Sequence, residues 1–560
     1  MEPERPGVLG GWREWVDECL ATSLASRVLM PKTAPHLPWL LSLLLFWGCT
    51  DPVEFPEESS FHVGAVAQAL DVTTDDGPVR GSVAGGLNVF KGIPYAAPPS
   101  GNRRWAPPAR PTRWTQPLTA AAFGPPCPQF REDVLHLNED CLRLNVWAPA
   151  APAKPRAVLV WIHGGGYVEG ASSEAWYDAA QLAQREDLVV VSFNYRLGLL
   201  GFLALPQLTA PDGGTGNWGL RDQIAALDWV RRNIAAFGGD PKRVMIAGES
   251  AGAVSVTTLL AATPAQGLFQ RAAIQSGTYR PVLEKEQSVG AFPSAYFVGL
   301  LSAIVMECTE GDVAACLRAK PSVQVLGTQA QLTPVTETGL GLWPTLPVVD
   351  GVVLKGRPLA RVLAGSGDVP VLVGANDNEA SFVLASMGVV GNPGDFGRYV
   401  DAIGASARKT QLTALYQPSV VGEVAAADAL GTDLSFACPS QRLATASATV
   451  GTAPAYLYRF ARALPNGPFA PLGVAHGTDI VYLFGRFDAV ATTPTPQDLT
   501  LSQQMQSAWG AMARTGSPIP AWLPYSPGGT FITWNTPATT QATWRNGRCA
   551  SLDAWGLLPP

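Results

Sequence analysis

Three short, almost uninterrupted apolar runs set the main limit on what this chain can fold into: residues 157–162 (AVLVWI), 188–194 (LVVVSFN) and 244–247 (VMIA). A strand with water on one face alternates polar and apolar residues. Near-continuous β-branched runs instead imply burial on both faces, as in a parallel sheet covered by helices on each side. Between the second and third runs, Leu220, Ile224, Leu227, Val230 and Ile234 recur at helical spacing. Gly238-Gly239-Asp240-Pro241 is expected to stop that helix, because glycine supplies a left-handed cap and proline cannot continue. Residues 369–374 and 456–460 repeat the strand pattern further on. The class is therefore α/β, with a large, mostly parallel central sheet, helices on both faces and long insertions. No internal repeat divides it, so residues 66–557 are expected to form one domain.

The chain has 560 residues, 47% hydrophobic and 15% charged. That length buries a large core, and the low charge with 9% aromatics argues against disorder. The net charge of −6 comes without any basic stripe, which excludes a nucleic-acid partner. No GxxxxGK[ST] loop is present to cradle phosphates.

The counts of five histidines and eight cysteines are more restrictive. No CxxC pair occurs, and so few histidines leave no metal site to expect. Setting aside Cys19 and Cys49, the even set Cys127, Cys141, Cys308, Cys316, Cys438 and Cys549 favours disulfides in an exported chain. Adjacency suggests the pairs 127–141 and 308–316, leaving 438–549.

The N-terminal region reads as an address. Residues 37–47 (LPWLLSLLLFW) are uncharged and apolar, too short for a membrane span of about 20 residues but suited to the core of an export signal. Met30-Pro31-Lys32 precedes it, whereas residues 1–29 are acidic and suit no signal peptide, so Met30 is the expected start. Gly48-Cys49 after the run resembles a bacterial lipoprotein cleavage box, although Phe46 and Trp47 stand where leucine and a small residue are usual. The expectation is an export region at 1–48, a polar tether at 49–65, and a periplasmic or extracellular protein, either anchored to a membrane through lipidated Cys49 or carrying an ordinary export signal with an incidental cysteine.

After VMIA comes Gly248-Glu249-Ser250-Ala251-Gly252 and then a helical run, a G-x-S-x-G elbow in its strand–turn–helix setting. A serine on such a tight turn is a candidate nucleophile, with the following helix directing its N-terminal amides at developing negative charge. AVLVWI runs into His163-Gly164-Gly165-Gly166-Tyr167, a glycine loop able to turn amides inward. The amides of Gly165, Gly166 and Ala251 are the expected oxyanion donors. The base follows by elimination. His36 and His62 fall in the signal and tether, His163 in the glycine loop, and His136 in the small cysteine loop upstream of the nucleophile. His476 remains, and it obeys the order serine, acid, histidine. The acid should follow the strand at 369–374, where Asp377 and Glu379 compete and composition does not choose.

These residues, together with FKGIPYAAPP (90–99), EDCLRLNVWAP (139–149), GNWGLRDQIAALDWVRRNIAAFGGDP (216–241), PVVDG (347–351) and AHGTDIVYLFG (475–485), resemble the type-B carboxylesterase/cholinesterase family of α/β-hydrolases. The resemblance spans about residues 85–557 and is nearest to the family's bacterial, p-nitrobenzyl esterase-like branch. It implies the α/β-hydrolase fold and a serine carboxylic-ester hydrolase acting through Ser250, His476 and Glu379, without metal or organic cofactor. Glu379 is picked because the family's acid lies five residues after the strand-end glycine. Glycine usually follows that acid, and here Ala380 does. The three cysteine pairs match the family's positions. Arg104–Glu139 and Arg196–Asp222 look like its structural ion pairs, and Glu249 like its buried carboxylate beside the nucleophile. The loop between Cys127 and Cys141 holds 13 residues and no tryptophan, so the aromatic floor that binds choline esters in cholinesterases is not expected. The implied substrate is a small to medium uncharged ester and the implied state a monomer. The alternatives are a lipase on longer-chain glycerides and a catalytically silent binding module of the same fold.

Overall fold

Alternation of side chains between two buried faces organises the chain. In a computed structural model, residues 70–558 are described except for 132–133, 151–153, 279–281, 289–293, 337–344, 387–388 and 390. The apolar run at 37–47, Cys49 and the tether at 49–65 lie outside the described residues.

Among the described residues, thirteen strands make the main sheet. They are β1 (Leu70–Thr73), β2 (Pro78–Ala84), β3 (Leu87–Pro94), β4 (Leu118–Thr119), β5 (Arg143–Pro149), β6 (Arg156–Ile162), β7 (Val189–Phe193), β8 (Gly239–Glu249), β9 (Arg271–Gln275), β10 (Val371–Asn376), β11 (Ala455–Phe460), β12 (Phe531–Trp534) and β13 (Thr539–Gln541). Their spatial order is β1-β2-β3-β5-β7-β6-β8-β9-β10-β11-β12-β13, with β4 beside β2. The strands from β7 and β6 through to β12 are parallel. The N-terminal strands and β13 add antiparallel flanks. Those flanks are absent from the sequence reading, because half-exposed strands such as β2 lack the continuous apolar signal.

In β6, Val158, Val160 and Ile162 pack into one core, while Ala157, Leu159 and Trp161 pack into the other. The first core is covered by α1 (Trp218–Asn233) and α2 (Ala251–Ala261), the second by α3 (Thr478–Phe484) and α4 (Pro496–Thr515). Each fully buried large apolar side chain stabilises by about 1.5–3 kcal/mol. The helix after β7 ends as expected, with Gly238 at φ 83°. The stop itself differs. Gly239, Asp240 and Pro241 belong to β8, whose register against β6 slips between Gly239 and Val244. Proline, lacking an N–H, is accommodated in that irregularity.

The three disulfides are the expected ones, Cys127–Cys141, Cys308–Cys316 and Cys438–Cys549. Among the described residues, no helix is long and apolar enough to cross a membrane. Both expected ion pairs are present. Arg104 pairs with Glu139, and Arg196 holds Asp222 through two bonds of 2.7 Å with both side chains buried. Removing one partner strands a buried charge, whereas replacing both does not. Arg196→Ala should therefore lose about 3–5 kcal/mol of stability in a urea titration. Arg196→Met with Asp222→Leu should lose clearly less, and equal losses would contradict this account.

Candidate active site

The site grows from strand ends that leave one edge of the parallel sheet. β8 ends at Glu249 and α2 begins at Ala251, so Ser250 is the whole connection. It takes φ 57° and ψ −126°, a strained conformation for a residue with a Cβ. Two backbone bonds hold it there. Its N–H donates to the Gln275 carbonyl at 3.0 Å, and its own carbonyl accepts from Val254 N–H at 2.9 Å. The turn also needs Gly252, because a Cβ there would overlap the Ile162 carbonyl of β6.

The glycine loop leaves β6 beside it. Gly165 sits at φ 100°, and a side chain at that position would run into the Glu169 carbonyl. Among the described residues, the Gly165 and Gly166 amides donate to no protein acceptor. His163, the loop's first residue, is buried and committed. Its Nδ1 lies 2.9 Å from the Gly164 carbonyl, its carbonyl accepts from the Tyr195 hydroxyl at 2.9 Å, and the two rings stack at 4.4 Å. Burial holds its imidazole down to about 4, so it is neutral.

On the other side, His476 Nδ1 lies 2.6 Å from Glu379 Oε2. The second Glu379 oxygen accepts from Asn376 N–H at 2.6 Å. The choice left open by composition is decided here. Asp377 turns to the Arg459 guanidinium, 2.7 Å away, and to Arg545, whereas Glu379 meets the imidazole. Ser250, Glu379, His476, Gly165, Gly166 and Ala251 all line one cavity of about 970 Å³. A hydroxyl on a strained turn, an imidazole–carboxylate pair and free amides around one cavity can carry out acyl transfer. No group of three or more His, Cys, Asp or Glu side chains among the described residues is arranged to hold a metal ion.

Residues 68–552 match the model of the carboxylesterase family. The chain belongs to that family. It is 35% identical over 460 residues to the para-nitrobenzyl esterase of Bacillus subtilis (strain 168), covering 80% of this chain and 90% of that protein. To the acetylcholinesterase of Bungarus fasciatus it is 31% identical over 560 residues, covering 92% and 89%. Among solved structures, a PNB esterase superposes with a TM-score of 0.75 at 32% identity, and a thermophilic PNB esterase with 0.76 at 30%. Each covers 86% of this chain and 99% of the other. The protein is thus a carboxylic ester hydrolase with the α/β-hydrolase fold.

Within this carboxylesterase the imidazole is bracketed by two carboxylates. Glu249 Oε1 lies 3.2 Å from His476 Nε2, opposite Glu379. Burial raises the Glu249 carboxyl to about 8, with His476 opposing. Burial alone would lower His476, but Glu249 and then the hydrogen bond to Glu379 outweigh it and raise the imidazole to about 9. Behind the pair, Asp479 is buried and held by Gln275 Nε2 at 2.9 Å, Tyr458 OH at 3.1 Å and Asn376 Nδ2 at 3.3 Å. Burial raises its pKa. Sequence reasoning missed this layer. Asp479 was within reach, three residues after His476 in the same motif, but Gln275 and Asn376 carry no local signal.

Glu249 favours the imidazolium, so removing its charge should let the proton leave more easily. Glu249→Gln should move the His476 titration, followed by NMR of labelled histidine, to lower pH. An unchanged or raised midpoint would show that the two groups are not coupled.

Proposed function

We propose that this carboxylesterase hydrolyses small to medium uncharged esters through an acyl-enzyme formed on Ser250. The observation that carries the reading is the 2.6 Å contact of His476 with Glu379, on the same cavity as a serine at positive φ. With its imidazole neutral, His476 takes the Ser250 proton through Nε2 as the oxygen attacks the ester carbonyl. Glu379 holds the ring by Nδ1 and stabilises the imidazolium. The amides of Gly165, Gly166 and Ala251 receive the oxyanion, each such donor being worth several kcal/mol in the transition state. His476 then protonates the leaving alcohol, and water attacks the acyl-enzyme by the same proton path.

Charge argues for the substrate class. Among the described residues, Glu169, Glu174 and Glu379 line the cavity beside the buried Glu249, with Arg131 as its one Arg or Lys, which disfavours an anionic ester. Arg131 and Phe130 come from the hairpin of Gln129–Arg131 and Val134–His136 inside the Cys127–Cys141 loop. Arg131 is paired with Glu174, so its charge is largely neutralised at the cavity. The para-nitrobenzyl esterase relative is named for an ester of an uncharged alcohol, in agreement with this reading.

A second reading, lipase action on longer chains, has one observation in its favour. Phe130, Phe382 and Phe469 line the cavity while 53%, 67% and 42% exposed. For location, three disulfides suit an oxidising compartment. With the run at 37–47 and Cys49, they support an exported, lipid-anchored protein.

Rates on p-nitrophenyl acetate, butyrate, octanoate and palmitate test the main reading. Short and medium esters should turn over fastest, and Ser250→Ala should lose about 10⁴-fold or more in kcat. Equal rates for the two proteins would sink it, and a jump in rate once the substrate aggregates would favour the lipase. Intact mass of the mature protein should show a chain beginning at lipidated Cys49. An unprocessed or unlipidated start would remove the anchor.

A further inference from the structure

We propose that the helical segment Glu423–Ala437 sets Glu379 against His476, with Thr432 and Asp428 as positioning residues. The proposal rests on the triad reading above. The segment consists of the helix Glu423–Thr432 followed by the wide π turn Asp433–Ala437. A π turn of this kind inside a helix often marks a functional site.

Three contacts join it to the acid turn. The buried Thr432 Oγ1 accepts from Glu379 N–H at 3.0 Å. One turn earlier, Asp428 Oδ2 accepts from Asn378 Nδ2 at 2.8 Å. Asn378 in turn fastens the acid turn to the loop carrying the histidine. Its N–H donates to the Val474 carbonyl at 3.1 Å, and its Oδ1 accepts from Val474 N–H at 3.0 Å. The third contact is steric. A Cβ on Gly431 would fall 2.7 Å from the Ala380 Cβ and 2.6 Å from the Tyr399 hydroxyl. The space the Ala380 methyl needs is the space that Gly431 leaves empty.

The same segment reaches the base, where the Phe436 ring lies 5.1 Å from the His476 ring. Its far end is tied down. Buried Asp433 accepts from the Tyr416 hydroxyl at 2.8 Å and pairs with Arg545 and Arg548, and Cys438 follows in disulfide with Cys549. Gly431, Leu434, Ser435 and Phe436 line the cavity, but Thr432 and Asp428 are not among its lining residues. They act through Glu379. With the Thr432 hydroxyl gone, the Glu379 amide is left buried without an acceptor, and the turn that aims the carboxylate relaxes.

Thr432→Val keeps the volume and removes the acceptor, and Thr432→Ser keeps the acceptor. On p-nitrophenyl butyrate, Thr432→Val should lower kcat roughly tenfold or more with KM within about twofold, and Thr432→Ser should stay near wild type. Should Thr432→Val not fold, Thr432→Ala removes the same hydroxyl without adding bulk and is read in the same way. Unchanged kcat, a change in KM alone, or an equal loss in Thr432→Ser would overturn the proposal. Glu379→Gln and Ser250→Ala run alongside. If Glu379→Gln kept wild-type rate, the triad reading itself would fall, whereas its loss with an unaffected Thr432→Val removes only the positioning role.

Discussion

Parallel pairing of β6 with β8 is the constraint on which the site depends. Gly248 stands opposite Ile162 in that register, so the two chains leave the sheet side by side. One continues into Ser250 and the other into the glycine loop. The approach is tight enough that the Ile162 carbonyl leaves no room for a Cβ at position 252. Ser250 and the glycine-loop amides are thereby brought together by the sheet, without any flexible segment having to find the other. The parallel pair β10 and β11 leads toward the segments that carry Glu379 and His476.

Burial then shapes the chemistry. A single imidazole sits between Glu379 at Nδ1 and Glu249 at Nε2, with Asp479 behind them. Burial raises the Glu249 and Asp479 carboxyls, and an ionised carboxylate beside the ring favours a proton on it. The result is a strongly basic imidazole whose tautomer and orientation are set by its shortest hydrogen bond. Neutral His163, stacked on Tyr195, contributes no charge and only shapes the glycine loop.

Several parts were legible from local pattern. The elbow, the glycine loop and the strands of the parallel core announce themselves because burial on both faces and backbone approach leave few allowed residue types. His476 was legible because so few histidines exist. Other parts were not. Asp377 and Glu379 have the same charge and lie two residues apart, so residue type does not separate them. The family spacing favours Glu379, and the direction of the turn, with Arg459 and Arg545 drawing Asp377 away, agrees. The placement of Asp240 and Pro241 within β8 escaped notice because a proline beside glycines reads as a turn until a neighbouring strand supplies the slip. Thr432 had no signal at all, being one threonine in a helix more than fifty residues from the carboxylate whose amide it accepts.

The sequence by itself determined the alternation of buried strands and covering helices, the tight turn at Ser250 and the cysteine set, because these follow from side-chain periodicity and from backbone conformations open to few residues. Only the tertiary structure decided how closely Glu379 meets His476, that a second carboxylate faces the ring's other nitrogen, and which distant helix packs on the Glu379 turn. Those choices rest on angles between elements far apart in the chain, where a hydrogen bond of 2.6 Å depends on packing that no local pattern records.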